Sequence, residues 1–236
     1  MRGGASFSLR FQAGAWKRGN NSKEVVMKMD SRGESREDST MEGKSLKNVV
    51  DFLFELGMLK RTPRSGYQFL GTGGESVADH SFRAALIAYT LARLTGYPEP
   101  CRVACLCLFH DVPEARTGDL NYVNKQYVKA DEQKAIDDLA EKLPFGGDYR
   151  EMMAEYIQAD SEAAHLAHDA DQLDLILNLK EQMDLGNQYA PEWIRYARGR
   201  LTTPIGGKVA AAIMECDHTG WWFDGHDHWW SRNHEG

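Results

Sequence analysis

The pair His110-Asp111 closes an apolar run, Cys101-Arg102-Val103-Ala104-Cys105-Leu106-Cys107-Leu108-Phe109, and so brings an imidazole and a carboxylate to the end of a segment that otherwise favours burial. His80 lies upstream of the pair, and His165, His168, Asp169, Asp171 and Asp174 crowd together downstream. Taking such groups out of water is costly unless they are paired. A divalent cation pairs them well, because imidazole nitrogens and carboxylate oxygens together suit Mn, Fe, Co, Ni or Zn and also admit Mg. By residue type alone, a hydrogen-bonded core histidine beside a capping aspartate explains the pair more simply than a metal does.

These side chains need elements to hold them together. Ser76 and Asp79 have the spacing of a capping box, with Asp in place of the usual Glu, and open a predicted helix that runs through Leu86, Tyr89 and Leu91 toward Gly96. His80 falls in its first turns. Pro100 to Phe109 reads as a short helix buried on nearly all sides, ending on His110-Asp111 with Pro113 just beyond. Helical periods recur over 131–143, 149–159, 161–185 and 205–216, the third closed by Gly186. An earlier amphipathic helix starts at Ser45, where Leu46, Val49, Val50, Leu53, Phe54 and Leu56 recur at helical intervals. Residues 60–74 hold Pro63, Gly66, Gly71, Gly73 and Gly74 and read as an irregular connection carrying Lys60, Arg61 and Arg64. No stretch alternates with the period of a strand, so an all-α bundle is the expected architecture.

The order His80, His110-Asp111, Asp171, each on its own predicted helix, resembles the H…HD…D pattern of the HD-domain metal-dependent phosphohydrolases. The flanking words are more specific. Leu59 to Arg64, Glu75 to His80, His110-Asp111-Val112-Pro113-Glu114 and Thr117-Gly118-Asp119 are similar to segments of the 5'-deoxynucleotidase branch of that superfamily, over about residues 45 to 200. The resemblance implies an all-α HD-domain helical bundle in which His80, His110, Asp111 and Asp171 ligate the metal. Asp171 is preferred over its neighbours on the context Ala170-Asp171-Gln172-Leu173, a choice that spacing alone leaves open. It further implies that Glu114 and Asp119 act on the attacking water and the leaving group, and that Arg61 contacts the substrate phosphate. Thr62 follows Arg61 where some bacterial members carry a tryptophan that shapes the sugar pocket, so a preference for deoxyribose does not carry over. The implied activity is hydrolysis of (deoxy)nucleoside 5'-monophosphates to nucleoside and phosphate, by a protein that forms a homodimer. The alternatives are an HD hydrolase of another phosphate ester, such as a cyclic nucleotide or an alarmone, and a nucleotide-binding sensor without turnover. The sensor reading predicts loss of the acid/base residues, and Glu114 and Asp119 are present.

Composition narrows the field further. With 28 Lys and Arg against 35 Asp and Glu, the net charge of −7 argues against a general nucleic-acid footprint, which needs clustered cations. An anionic small substrate then requires a local cation or a few placed arginines. No apolar stretch approaches the length of a membrane span, and no apolar core follows the basic N-terminal residues, so a cytoplasmic protein is expected. Cys101, Cys105, Cys107 and Cys216 form no disulfide framework and read as buried, reduced thiols. Residues 1–44 are polar and glycine-rich and read as a disordered extension. Residues 45–217 form the expected domain, and 218–236 an aromatic and His-rich tail packed on it, with a nucleobase-stacking surface and a second metal site at His226 and His228 as the lesser readings.

Overall fold

A computed structural model describes residues 36–223, with side chains from residue 45 onward. Residues 1–35 of the expected extension and residues 224–236 of the expected tail, including His226 and His228, lie outside the described residues. Among the described residues no strand forms; the one β feature is an isolated antiparallel bridge between Pro63 and Ser76. The fold is an all-α bundle built from α1 (Arg36–Leu56), α2 (Tyr67–Leu70), α3 (Val77–Thr95), α4 (Pro100–Phe109), α5 (Glu114–Thr117), α6 (Glu132–Ala140), α7 (Gly146–Gln158), α8 (Glu162–Asp184), α9 (Ala190–Arg198), α10 (Pro204–Glu215) and α11 (Gly220–Phe223). No helix among the described residues is long and apolar enough to cross a membrane.

Helix α1 begins upstream of Ser45, where its apolar period starts; once a helix is nucleated, each further residue adds one backbone hydrogen bond at small cost. The predicted capping box opens α3. Ser76 Oγ accepts from the Asp79 amide at 3.1 Å, and Asp79 Oδ2 accepts from the Ser76 amide at 3.0 Å. The preceding loop is stapled to this same turn. The Val77 and Ala78 amides donate to the carbonyls of Thr62 and Leu59, and the Arg64 amide donates to that of Glu75.

Helix α8 is the central post, and α3, α4, α9 and α10 pack around it. Its small residues Ala163, Ala164, Ala167 and Ala170 permit close approach, while Leu166, Leu173, Ile176 and Leu179 fill the space between helices. A second apolar cluster joins Phe52, Leu59, Val77, Val112, Ile136, Leu139, Leu143, Tyr149 and Met153, from α1, the start of α3, α6, α7 and the turns after α1, α4 and α6. The His110-Asp111 pair falls on the seam, because Cys107 belongs to the first core and Val112 to the second.

Two expectations need correction. Helix α4 buries Val103, Leu106 and Cys107 but leaves Cys101 and Leu108 exposed, so it is one-sided rather than buried all round. Of the four thiols only Cys107 is fully buried, with Sγ donating to the Ala167 carbonyl; Cys101 and Cys216 are exposed. Helix α9, with Ala190, Ile194 and Ala197 buried, was not anticipated, because its three apolar contacts span little more than two turns.

Candidate metal centre and substrate cavity

Four side chains from three helical segments converge. His80 comes from the first turn of α3, His110 and Asp111 from the end of α4, and Asp171 from the middle of α8. His80 Nε2 lies 3.1 Å from Asp171 Oδ1 and 3.6 Å from Asp111 Oδ2, and His110 Nε2 lies 3.1 Å from Asp111 Oδ1. His80, His110 and Asp171 each offer a ligand atom within 4.8 Å of the others.

The far side of each imidazole is already engaged. His80 Nδ1 donates to Asp174 Oδ2 at 2.6 Å, with both side chains fully buried. His110 Nδ1 lies 2.7 Å from the Cys107 carbonyl, which can only accept, so this nitrogen carries the proton. Both rings therefore turn Nε2 toward the cluster, the arrangement that outer partners impose on metal-ligating histidines. His80 Nε2 is buried there without a well-formed hydrogen bond of its own. A ring nitrogen held in this way, among carboxylate oxygens, fits a divalent transition metal.

The electrostatics agree. Burial alone would lower the pKa of His80, but Asp171 and Asp174 outweigh it and raise it to about 10. Burial likewise opposes charge on His110, and Asp111 reverses the shift upward. Burial would raise both carboxylates, yet the imidazoles hold Asp171 and Asp111 below their usual range, with Arg64 assisting. A field that favours protons on both rings favours a cation in the same place.

The crowded segment of α8 sorts itself by direction. Asp171 faces the cluster, and Asp174 supports His80 from behind while pairing with Arg83. Asp169 points the opposite way. Its carboxylate accepts from the amides and hydroxyls of Thr202 and Thr203, where α10 begins. Gly206 sits so close that a Cβ there would come within 2.2 Å of Asp169 Oδ2. His168 stacks on Tyr156, and His165 is exposed. Gln172 completes the surroundings of Asp171, donating to its Oδ2 at 2.8 Å while accepting from Arg200 Nε at 2.6 Å.

The cluster opens into a cavity of about 800 Å³ lined by His110, Asp111 and Asp171 together with Glu114, Asp119 and Arg64. Tyr67, Tyr122, Tyr156, Trp193 and Tyr196 give it aromatic walls. Glu114 opens α5; burial, then the charges of Asp111 and Asp119, raise its pKa to about 9. Asp119 Oδ2 accepts from the Ser65 amide at 2.6 Å and ties the Arg64 loop across the site. Arg61 is exposed and does not line the cavity. Arg64 does, with its guanidinium 3.4 Å from Asp111 Oδ2 and 4.0 Å from Asp171 Oδ1. Sequence reasoning treated Arg64 only as a source of local positive potential, and it left Asp174 and Gln172 without roles. A basic residue set between the turn formers Pro63 and Gly66 was the one signal pointing to Arg64.

Comparison with known proteins bears on the family of the chain. The HD-domain profile matches residues 56–212. The chain is 31% identical over 156 residues to the 5'-deoxynucleotidase HDDC2 of Bos taurus, covering 64% of this chain and 75% of that protein. It is 32% identical over 147 residues to a 5'-deoxynucleotidase of Yersinia pseudotuberculosis, covering 56% and 71%. Among solved structures, a conserved hypothetical protein from Pyrococcus furiosus superposes with a TM-score of 0.60 at 25% identity, covering 71% of this chain and 99% of that one. With matched sequence over more than half its length and the paired histidine and aspartate at the centre of the bundle, the chain belongs to the HD-domain family.

Proposed function

We propose that this protein is a metal-dependent phosphomonoesterase that hydrolyses (deoxy)nucleoside 5'-monophosphates to nucleoside and orthophosphate. The observation that carries the reading is the convergence of His80, His110, Asp111 and Asp171, with His80 Nε2 lacking a well-formed hydrogen bond, beside a cavity whose wall also holds Glu114, Asp119 and Arg64. Relatives named 5'-deoxynucleotidase support the substrate class.

In this reading the four residues hold one divalent cation, Mn, Fe, Co, Ni, Zn or Mg. Such a cation, when bound, supplies Lewis acidity toward a phosphoryl oxygen and lowers the pKa of a water. Asp174, through His80, and Gln172, through Asp171, fix the ligand orientation. Arg64 takes the phosphate role first assigned to Arg61, since a guanidinium donates to two phosphate oxygens at once and, of these two arginines, it is Arg64 that lines the cavity beside Asp111 and Asp171. Glu114 orients the attacking water, and Asp119 attends the leaving oxygen. The presence of both carboxylates on the cavity wall favours turnover over a binding-only sensor.

The test is to strip the protein of metal, restore it with each candidate ion, and measure phosphate release from a panel of deoxy- and ribonucleotides. Turnover of nucleoside monophosphates with at least one ion is expected. Metal and nucleotide binding without phosphate release would replace this reading with the sensor, and release only from cyclic nucleotides or alarmones would move the substrate class.

A further inference from the structure

Asp171 presents its two carboxylate oxygens to different neighbours. Oδ1 faces the cluster, 3.1 Å from His80 Nε2 and 4.0 Å from the Arg64 guanidinium. Oδ2 is held from the other side by Gln172 Nε2 at 2.8 Å, and Gln172 Oε1 accepts from Arg200 Nε at 2.6 Å. A chain of two hydrogen bonds thus runs from the connection between α9 and α10 to a member of the cluster.

The chemistry of the three groups gives this chain a single sense. An ionised carboxylate only accepts and a guanidinium only donates, so the carboxamide between them turns its NH2 to Asp171 and its oxygen to Arg200. The two ends of a carboxamide are nearly equal in shape, and sterics alone would not choose between them. Reversed, the group would aim an oxygen at Asp171 Oδ2 and leave that oxygen without its donor. Arg200 is placed to make the choice. Its backbone amide donates to the carbonyl of fully buried Ala197 at 3.1 Å, in the turn that closes α9, so the side chain starts from a fixed point. Among the described residues no carboxylate pairs with Arg200, and its charge polarises the Gln172 amide instead. A carboxylate whose Oδ2 is occupied in this way offers a cation Oδ1 alone.

We propose that Arg200 is a positioning residue for the metal centre: by orienting Gln172 it keeps Asp171 Oδ2 out of the ligand set and leaves Oδ1 as the one ligand atom of that carboxylate. The inference rests on the metal reading above and extends it to a residue that acts two hydrogen bonds away. Arg200 also lines the cavity, so the experiment must separate this role from a contact with substrate.

That experiment is a double-mutant cycle on metal affinity, read by chelator competition on purified full-length protein with Mn, Co, Ni and Zn each added alone and no substrate present. Arg200→Met keeps an unbranched stem and removes the donors, Gln172→Leu removes the carboxamide, and Arg200→Lys returns a donor within reach of Gln172 Oε1. Arg200→Met is expected to weaken the tightest-bound ion about 3- to 10-fold, less than the roughly 10- to 100-fold typical of a direct partner of a ligand. Arg200→Lys is expected to recover to within about twofold of wild type, and Arg200→Met to change affinity by less than about twofold once Gln172→Leu has cut the chain. Wild-type affinity in Arg200→Met, or an equal loss in both backgrounds, overturns the proposal. A raised KM for nucleotides with metal affinity intact overturns it too, because Arg200 would then be a substrate contact. A lowered melting temperature with metal affinity intact would mark a purely structural residue, with the same result. Wild-type protein that binds none of these ions removes the metal reading together with the inference, whereas wild-type binding with insensitive variants removes the inference alone.

Discussion

His80 and Asp174 face each other across the packed interface of α3 and α8, with Nδ1 2.6 Å from Oδ2 and neither side chain reachable by solvent. The bond makes the ring a one-sided ligand, because a proton held at Nδ1 leaves Nε2 with its lone pair toward Asp171 and Asp111. Asp174→Asn keeps the volume and weakens this hold. Metal affinity, measured by competition with a chromogenic chelator, is expected to drop about 10- to 100-fold, the usual cost of losing an outer partner. Affinity equal to wild type in a folded variant would remove Asp174 from the site.

Asp111→Ala strikes the cluster itself. Activity is expected to fall by more than about a hundredfold, beyond the loss from an outer partner, while the helical circular dichroism spectrum stays native. Full activity in this variant would dissolve the ligand assignment.

Arg64 and Arg61 offer a matched pair of substitutions three residues apart. Arg64→Ala is expected to lower kcat/KM about 10- to 100-fold through weaker phosphate binding, the range set by a charge-assisted hydrogen bond of about 1.5–3 kcal/mol. Arg61→Ala, on the exposed side of the loop, is expected to stay within about twofold, as surface substitutions usually do. The opposite ranking in steady-state kinetics would restore Arg61.

The difference between these two arginines shows where sequence reasoning reached its limit. Lys60, Arg61 and Arg64 look alike in composition, and only the long-range bridge of Pro63 to Ser76 and the Arg64 amide bond to Glu75 decide which one turns inward. Local signals fared better. The Ser76–Asp79 capping box, the periods of α3, α6, α7, α8 and α10, and the polar pair ending α4 are all properties of near neighbours in the chain, and the structure has them. On α8, spacing could not rank Asp169, Asp171 and Asp174, since each is buried or half-buried. What separates them is the opposing element: the α10 entry for Asp169, His80 for the other two.

Asp184 provides a pH test remote from the metal cluster. Burial would raise its pKa, but hydrogen bonds from Lys180 and from the backbone and ring of His218 hold it below the ordinary 3.8. A depressed carboxylate stabilises the folded state fully above its unfolded pKa and loses that contribution as pH falls through the folded value. Asp184→Asn is therefore expected to unfold at lower urea than wild type at pH 7, with the gap closing as the pH drops below 3.8. A gap independent of pH would mean that the ion pair contributes nothing.

Gly206→Ala tests the packing of α10 on α8. The added methyl would press on the Asp169 carboxylate, and overpacking of this kind costs about 1–3 kcal/mol. A lowered melting temperature is expected, with metal affinity preserved because Asp169 faces away from the cluster.

The seam on which His110 and Asp111 sit, between Cys107 of one core and Val112 of the other, makes the site a strain gauge for the whole bundle. A core that settles around a small cavity shifts the residues on its border, and this pair borders both cores. Trimming Leu173 in one core or Leu139 in the other should thus erode turnover at temperatures where the helices still report as intact, and from opposite sides of the same two residues.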